Sequence, residues 1–129
     1  MLDCLDLLGV PFKVHGRNKE EGFDCYGLLI ELAKRQGVTF QDAFYSDIKD
    51  KNIYYNFLKE KLPVEKIDNL EENCILLMLK DNNFSHVGVY LGEGKFIHAT
   101  ENKGVCISKL DHNNNKIKGL YRIKRNGNN

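Results

Sequence analysis

Glu21-Gly22-Phe23-Asp24-Cys25-Tyr26-Gly27-Leu28-Leu29 reads as a loop that passes into a helix, with a cysteine in the first helical turn. Asp24 suits the N-cap position, because its carboxylate can accept hydrogen bonds from the open backbone N–H groups two and three residues on. From Cys25 onward the apolar residues Leu28, Leu29, Leu32 and Ala33 fall at helical spacing. Gly37 closes the segment at C′, after Lys34 and Arg35, whose charges complement the negative end of the helix dipole. Cys25 therefore sits on the apolar stripe and at the positive end of the dipole, where a thiolate is stabilised. That is the physical requirement for a cysteine nucleophile. A cysteine on an apolar stripe is more often a small hydrophobe, so catalysis also needs a base from elsewhere in the chain.

Upstream of that helix, Leu2 to Leu8 offers a short helix stopped by Gly9-Val10-Pro11. Phe12 to Phe23 follows as a polar loop, with Gly16 and Gly22 as its flexible points. Downstream, Val38 to Ile67 reads as helix-rich and charged. Its clearest piece is Asn52 to Leu62, where Ile53, Phe57, Leu58 and Leu62 form a stripe that Pro63 closes. After Asn73 the texture changes. Cys74 to Leu79 is a continuous apolar run of buried-strand length, His86 to Leu91 alternates, and Lys95 to Ala99, Gly104 to Leu110 and Gly119 to Lys124 supply further strands. Helices first and an antiparallel meander after them predict an α+β domain, with N-terminal helices packed on one side of a C-terminal antiparallel sheet.

A chain of 129 residues is one domain by length, taken as 1–129, and large enough for a core of its own. Its net charge of +1 gives no general drive toward nucleic acid or an anionic membrane. The basic residues Lys116, Lys118, Arg122, Lys124 and Arg125 alternate with Ile117, Leu120 and Ile123, as on the solvated face of a last strand. No apolar run approaches the roughly 20 residues of a membrane span, and no secretory signal is visible at the N-terminus. Cys4, Cys25, Cys74 and Cys106 are widely scattered with no C-x-x-C pair, which favours reduced thiols and argues against a structural zinc site. Asp81-Asn82-Asn83 and Asp111 to Asn115 lack the remaining ligands of a calcium loop, so no metal and no cofactor are expected.

The base is sought among the histidines. If Gly92-Glu93-Gly94 forms a three-residue turn, Leu91 faces Lys95, Val89 faces Ile97 and Gly88 faces His98. His86 and His98 then share a sheet face as diagonal neighbours, roughly 7–8 Å apart at the backbone, and Gly88 leaves room between them. A two-residue Glu93-Gly94 turn shifts the register by one and sends the two histidines to opposite faces. A functional pair thus predicts the longer turn. Together with a cysteine at a helix start, the pair supplies a nucleophile, a general base and a group that orients the base. His15 and His112 lie in loop-like surroundings and receive no role.

Gly22-Phe23-Asp24-Cys25-Tyr26-Gly27-Leu28, followed by Ser85-His86-Val87-Gly88-Val89-Tyr90-Leu91-Gly92-Glu93-Gly94-Lys95-Phe96-Ile97-His98-Ala99, resembles the NlpC family of papain-like cell-wall cysteine peptidases. Weaker similarity spans Gly9 to Arg17 and Gly104 to Arg122, so the resemblance covers well over half the chain. Gly16-Arg17 and the Asp-Cys-Tyr-Gly at 24–27 look most like the bacteriophage tail and prophage branch. Three departures stand out. Tyr26 replaces a common serine and alters the mouth of the site, Phe12 replaces a tyrosine, and Glu72-Asn73-Cys74 replaces Pro-Gly-Asp.

The resemblance implies an endopeptidase acting on peptidoglycan stem peptides near the γ-D-glutamyl linkage. By motif position Cys25 is the nucleophile, His86 the base and His98 its orienting group, with Asp24 and Ser85 contacting substrate. It further implies a chain made in the cytoplasm without a signal peptide and brought to the cell wall, for instance in a virion tail beside tail-tip proteins. Two alternatives stay open: a structural tail component with an idle triad, and a thiol acyltransferase or amidase on the same scaffold.

Overall fold

The computed structural model describes residues 2–42, 62–80, 84–111 and 116–124. Its helix, α1 (Cys25–Arg35), starts and stops where its caps dictate. Asp24 is extended, with φ −89° and ψ −177°, and its Oδ1 accepts from the Gly27 N–H at 2.7 Å. At the other end Gly37 takes φ +83°. The Gly37 N–H donates to Lys34 O at 2.9 Å and the Val38 N–H to Ala33 O at 3.0 Å. This is the Schellman pairing, which satisfies two of the last carbonyls and uses the glycine's freedom at positive φ.

The rest of the N-terminal half departs from the expected helices. Leu2 to Leu8 contains only a 3-10 turn at Leu5–Leu7, because Gly9, at φ +87°, turns the chain away to run beside the sheet. The Phe12 to Phe23 loop holds a small antiparallel ribbon of β1 (Arg17–Asn18) and β2 (Gly22–Phe23). The helix expected over Asn52 to Leu62 falls almost entirely outside the described residues. Among those residues α1 is the one α-helix, so the expected layer of several helices reduces to it.

Six antiparallel strands form the main sheet: β3 (Val64–Ile67), β4 (Ile75–Lys80), β5 (Phe84–Gly92), β6 (Lys95–Thr100), β7 (Gly104–Lys109) and β8 (Lys116–Ile123). Their order is β3-β8-β4-β5-β6-β7. Strands β4 to β7 form the expected meander, but β8 does not extend it. It returns to pair with β4, and β3 then pairs with β8, Val64 opposite Ile123. The expectation of helix as far as Ile67 therefore fails at β3, a short charged segment whose backbone partners lie far along the chain. The β7 edge is covered locally. The Gly9 N–H donates to Val105 O and the Val105 N–H to Val10 O, each at 2.9 Å. Gly104 permits this approach, since a Cβ there would lie 2.3 Å from Val10 O.

The β5–β6 hairpin uses the tight turn, contrary to expectation. Glu93 (φ +54°) and Gly94 (φ +75°) are its two central residues, as in a type I′ turn. A bulge then restores the register. Val89 faces Ile97 and Tyr90 faces Phe96, but Gly92 faces Lys95, leaving Leu91 as the extra residue. The histidines consequently stay on one face although the turn is shorter. Val87, Val89, Ile97, Ala99 and Val105 join the apolar stripe of α1 in the main core, while Leu76, Met78 and Phe96 form a second cluster.

Two outcomes follow from this packing. A Cβ on Gly88 would lie 3.0 Å from both Ile97 O and Phe96 Cδ2 and 3.3 Å from His98 Cβ. Gly88→Val is expected to cost about 2 kcal/mol by overpacking, read as a lowered midpoint in urea, and to separate the two imidazoles. The second outcome concerns acid. Hydrogen bonding from Arg35 holds the Asp6 carboxyl far below its ordinary value of 3.8, and Arg122 holds Glu71 below 4.5. Both folded-state values are depressed, so their contribution is present above these ordinary values and is lost as pH falls from them through the lower folded-state values. Arg122→Gln is expected to flatten the loss of stability between about pH 5 and pH 3, as measured by urea unfolding across that range.

Candidate active site

Local hydrogen bonds hold Cys25 at the start of α1. The Asp24 side chain is fully buried, and three protein donors engage it. Oδ1 accepts from the Gly27 N–H at 2.7 Å and from Arg17 Nη1 at 2.9 Å, and Oδ2 accepts from the His15 N–H at 2.9 Å. Arg17 also donates to Gly16 O and to Asp42 Oδ1, each at 2.8 Å, and its guanidinium lies 5.7 Å from the centre of the Tyr26 ring. Burial pulls the Arg17 pKa down, but Asp42 and Asp24 outweigh it and leave it above the ordinary value. Gly16 and Gly27 let the loop close on the helix, because a Cβ on Gly27 would lie 2.1 Å from Gly16 O.

Tyr26 does not shape the mouth of the site as expected. It is buried, and its hydroxyl donates to Gln41 O at 2.5 Å, so it ties the chain beyond α1 back to the helix start. The four thiols also separate by environment. Cys4 and Cys74 are buried, and burial pushes both thiols up, which makes them poor nucleophiles. Cys25 and Cys106 are only partly buried.

The histidines form the second part of the site. His86 Nε2 and His98 Nδ1 are 2.8 Å apart, and the rings meet edge-on with centroids 5.1 Å apart. His98 Nε2 lies 2.8 Å from Ser108 Oγ on β7, and the Phe96 ring packs beside His98 with centroids 4.5 Å apart. Alternation along the hairpin thus locates the pair but carries no sign of Ser108. Strand alternation alone places Ser108 on the same face as Cys106, the register partner of His98.

Backbone pairing ties the chain before α1 to the β7 edge of the sheet. Phe23 bridges to Phe12, and its N–H donates to Pro11 O at 3.1 Å, while Val10 pairs with Val105. Val105 faces Ala99, the residue after His98. α1 packs against β5 and β6, the two strands that carry His86 and His98. Ser85 precedes His86 on β5, opposite Leu79. Among the described residues, no cluster of three or more His, Cys, Asp or Glu side chains is placed to hold a metal, and no helix is long and apolar enough to cross a membrane.

These features define a class: α+β domains that combine a cysteine at a helix start with a hydrogen-bonded histidine pair on an antiparallel sheet. The chain matches the NlpC/P60 family over residues 9–122 and belongs to that family. It is 30% identical over 110 residues to the gamma-DL-glutamyl hydrolase of Bacillus subtilis strain 168, covering 82% of this chain and 24% of that protein. It is 28% identical over 104 residues to the probable endopeptidase NlpC homolog of Haemophilus influenzae, covering 81% of this chain and 49% of the relative. The chain thus spans half or less of the length of these relatives. A solved NLP/P60 family protein similar to lipoprotein, from Staphylococcus aureus Mu50, shares the fold with a TM-score of 0.67 at 19% identity, covering 95% of this chain and 39% of that one.

Proposed function

We propose that this chain is a cysteine peptidase that cleaves peptidoglycan stem peptides near the γ-D-glutamyl linkage, with Cys25, His86 and His98 as its triad. The observation that carries the reading is the 2.8 Å contact between His86 Nε2 and His98 Nδ1, on the two strands that α1 packs against. The named activities of the Bacillus and Haemophilus relatives support it. The triad requires the Cys25 sulfur to meet His86.

In this reading His98 engages Nε2 of His86, and Nδ1 takes the thiol proton. The thiolate attacks the amide carbonyl carbon, and backbone N–H groups at the start of α1, that of Cys25 among them, stabilise the oxyanion. The His86 imidazolium then protonates the leaving amine as the C–N bond breaks. Water, deprotonated by His86, hydrolyses the thioester to release the carboxylate and the free thiol. Asp24 and Ser85 are proposed substrate contacts; Asp24 acts through the surface it supports, since protein donors already hold both its oxygens.

The proposal extends to a single catalytic domain over 1–129 in the phage tail or prophage branch, supported by Gly16-Arg17 and by the sequence from Asp24 to Gly27. Delivery to the wall from a tail tip belongs to the same reading. The test is digestion of muropeptides from several wall chemotypes, read by mass spectrometry. New termini on either side of D-glutamate are the expected result. Intact muropeptides, with no labelling of Cys25 by a thiol probe near neutral pH, would leave an idle triad in a structural component. Copurification with tail-tip proteins tests the branch.

A further inference from the structure

Ser108, His98 and His86 form a continuous chain of polar contacts. Ser108 Oγ lies 2.8 Å from His98 Nε2, and His98 Nδ1 lies 2.8 Å from His86 Nε2. A neutral imidazole has one N–H and one lone pair, so the chain admits two proton arrangements. In the first, His86 Nε2–H donates to His98 Nδ1, His98 Nε2–H donates to Ser108 Oγ, and His86 Nδ1 holds a lone pair. In the second, Ser108 donates to His98 Nε2, His98 Nδ1–H donates to His86 Nε2, and His86 Nδ1 already carries a proton. Only the first arrangement leaves His86 a base at its remaining nitrogen.

The proposed catalysis selects between them, since only the first leaves His86 Nδ1 able to take the thiol proton. Cys106 Sγ lies 4.0 Å from Ser108 Oγ, a contact in which either atom can be the donor. In the first arrangement the hydroxyl turns a lone pair toward His98 Nε2–H, and its own proton is left for another acceptor, for which the sulfur is within reach. We propose that Ser108 is a positioning residue that accepts from His98 Nε2–H and so sets the tautomers of both histidines, keeping His86 Nδ1 unprotonated. This inference rests on the Cys25-His86-His98 reading, and it adds to the triad a hydroxyl on β7 that acts through His98.

The test is long-range 1H–15N correlation spectroscopy of the histidine rings in the labelled full chain, at a pH where both are neutral. The wild type is expected to show His86 and His98 as Nε2–H tautomers. Ser108→Ala is expected to give mixed tautomers, with kcat on a cleaved muropeptide roughly tenfold lower and KM little changed. Ser108→Thr, which keeps the hydroxyl, is expected to restore both readouts. An Nδ1–H tautomer of His98 in the wild type overturns the proposal, and so does an unchanged tautomer pattern in Ser108→Ala. The wild-type spectrum decides even if the alanine variant does not fold. It is read without substrate, so failure to cleave any muropeptide counts against the peptidase reading alone.

Discussion

Cys25→Ala should lower kcat/KM on a cleaved muropeptide by about three orders of magnitude or more, with little change in thermal midpoint. The size follows from the proposed chemistry, because no other step can replace the C–S bond that divides amide cleavage into two easier reactions. The small structural effect follows from position. Cys25 only adjoins the main core from the first turn of α1 and is partly exposed, so losing its sulfur opens no sealed cavity. His86→Ala should fall to a similar level, and the double variant should be little worse than either, because residues that act as one unit are not additive. Labelling by a thiol-reactive probe near neutral pH should vanish at Cys25 in the first variant and slow sharply in the second. Full activity in Cys25→Ala would place the nucleophile elsewhere and end the triad reading.

The parts of this site that were legible in the sequence are those fixed by local rules. The N-cap, the apolar spacing and the C′ glycine define α1 almost to the residue, because each acts within one or two helical turns. The β5–β6 register was legible for a different reason. Alternation of Val87, Val89, Ile97 and Ala99 toward the core allows only one face for the histidines, so the bulge at Leu91 compensates for the turn that was misjudged. Gly92-Glu93-Gly94 alone does not separate a three-residue turn from a two-residue turn plus bulge.

What remained hidden depends on distant partners. Strand β3 becomes a strand only beside β8, more than fifty residues later in the chain. Ser108 acquires meaning only once β7 is registered on β6. Arg17, within a stretch that reads as loop, becomes structural because folding brings Asp24 and Asp42 to it from either end of α1. A charged residue in a loop carries no sign in one sequence of the ion pairs it will enter.

Asp24→Ala should lower stability by about 3 kcal/mol, shifting the thermal midpoint down by roughly 10 °C. The carboxylate does three things at once: it caps α1 at Gly27, receives the His15 N–H and pairs with Arg17, all with no exposure to water. Loss of the cap alone costs about 1 kcal/mol. The rest comes from donors left without their acceptor, moderated because Arg17 keeps Asp42, whose side chain is 56% exposed. Asp24→Asn should lose less, since asparagine is also a good N-cap, and the difference between the two variants isolates the charge facing Arg17. The same pair of variants tests the proposed substrate role. If Asp24 serves substrate only by holding this surface, activity should fall in step with the loss of ordered Cys25. A raised KM in a fully stable Asp24→Asn protein would instead show the carboxylate acting on substrate directly. An unchanged midpoint in Asp24→Ala would contradict the buried network itself and, with it, the rigid placement of the sulfur on which the catalytic proposal depends.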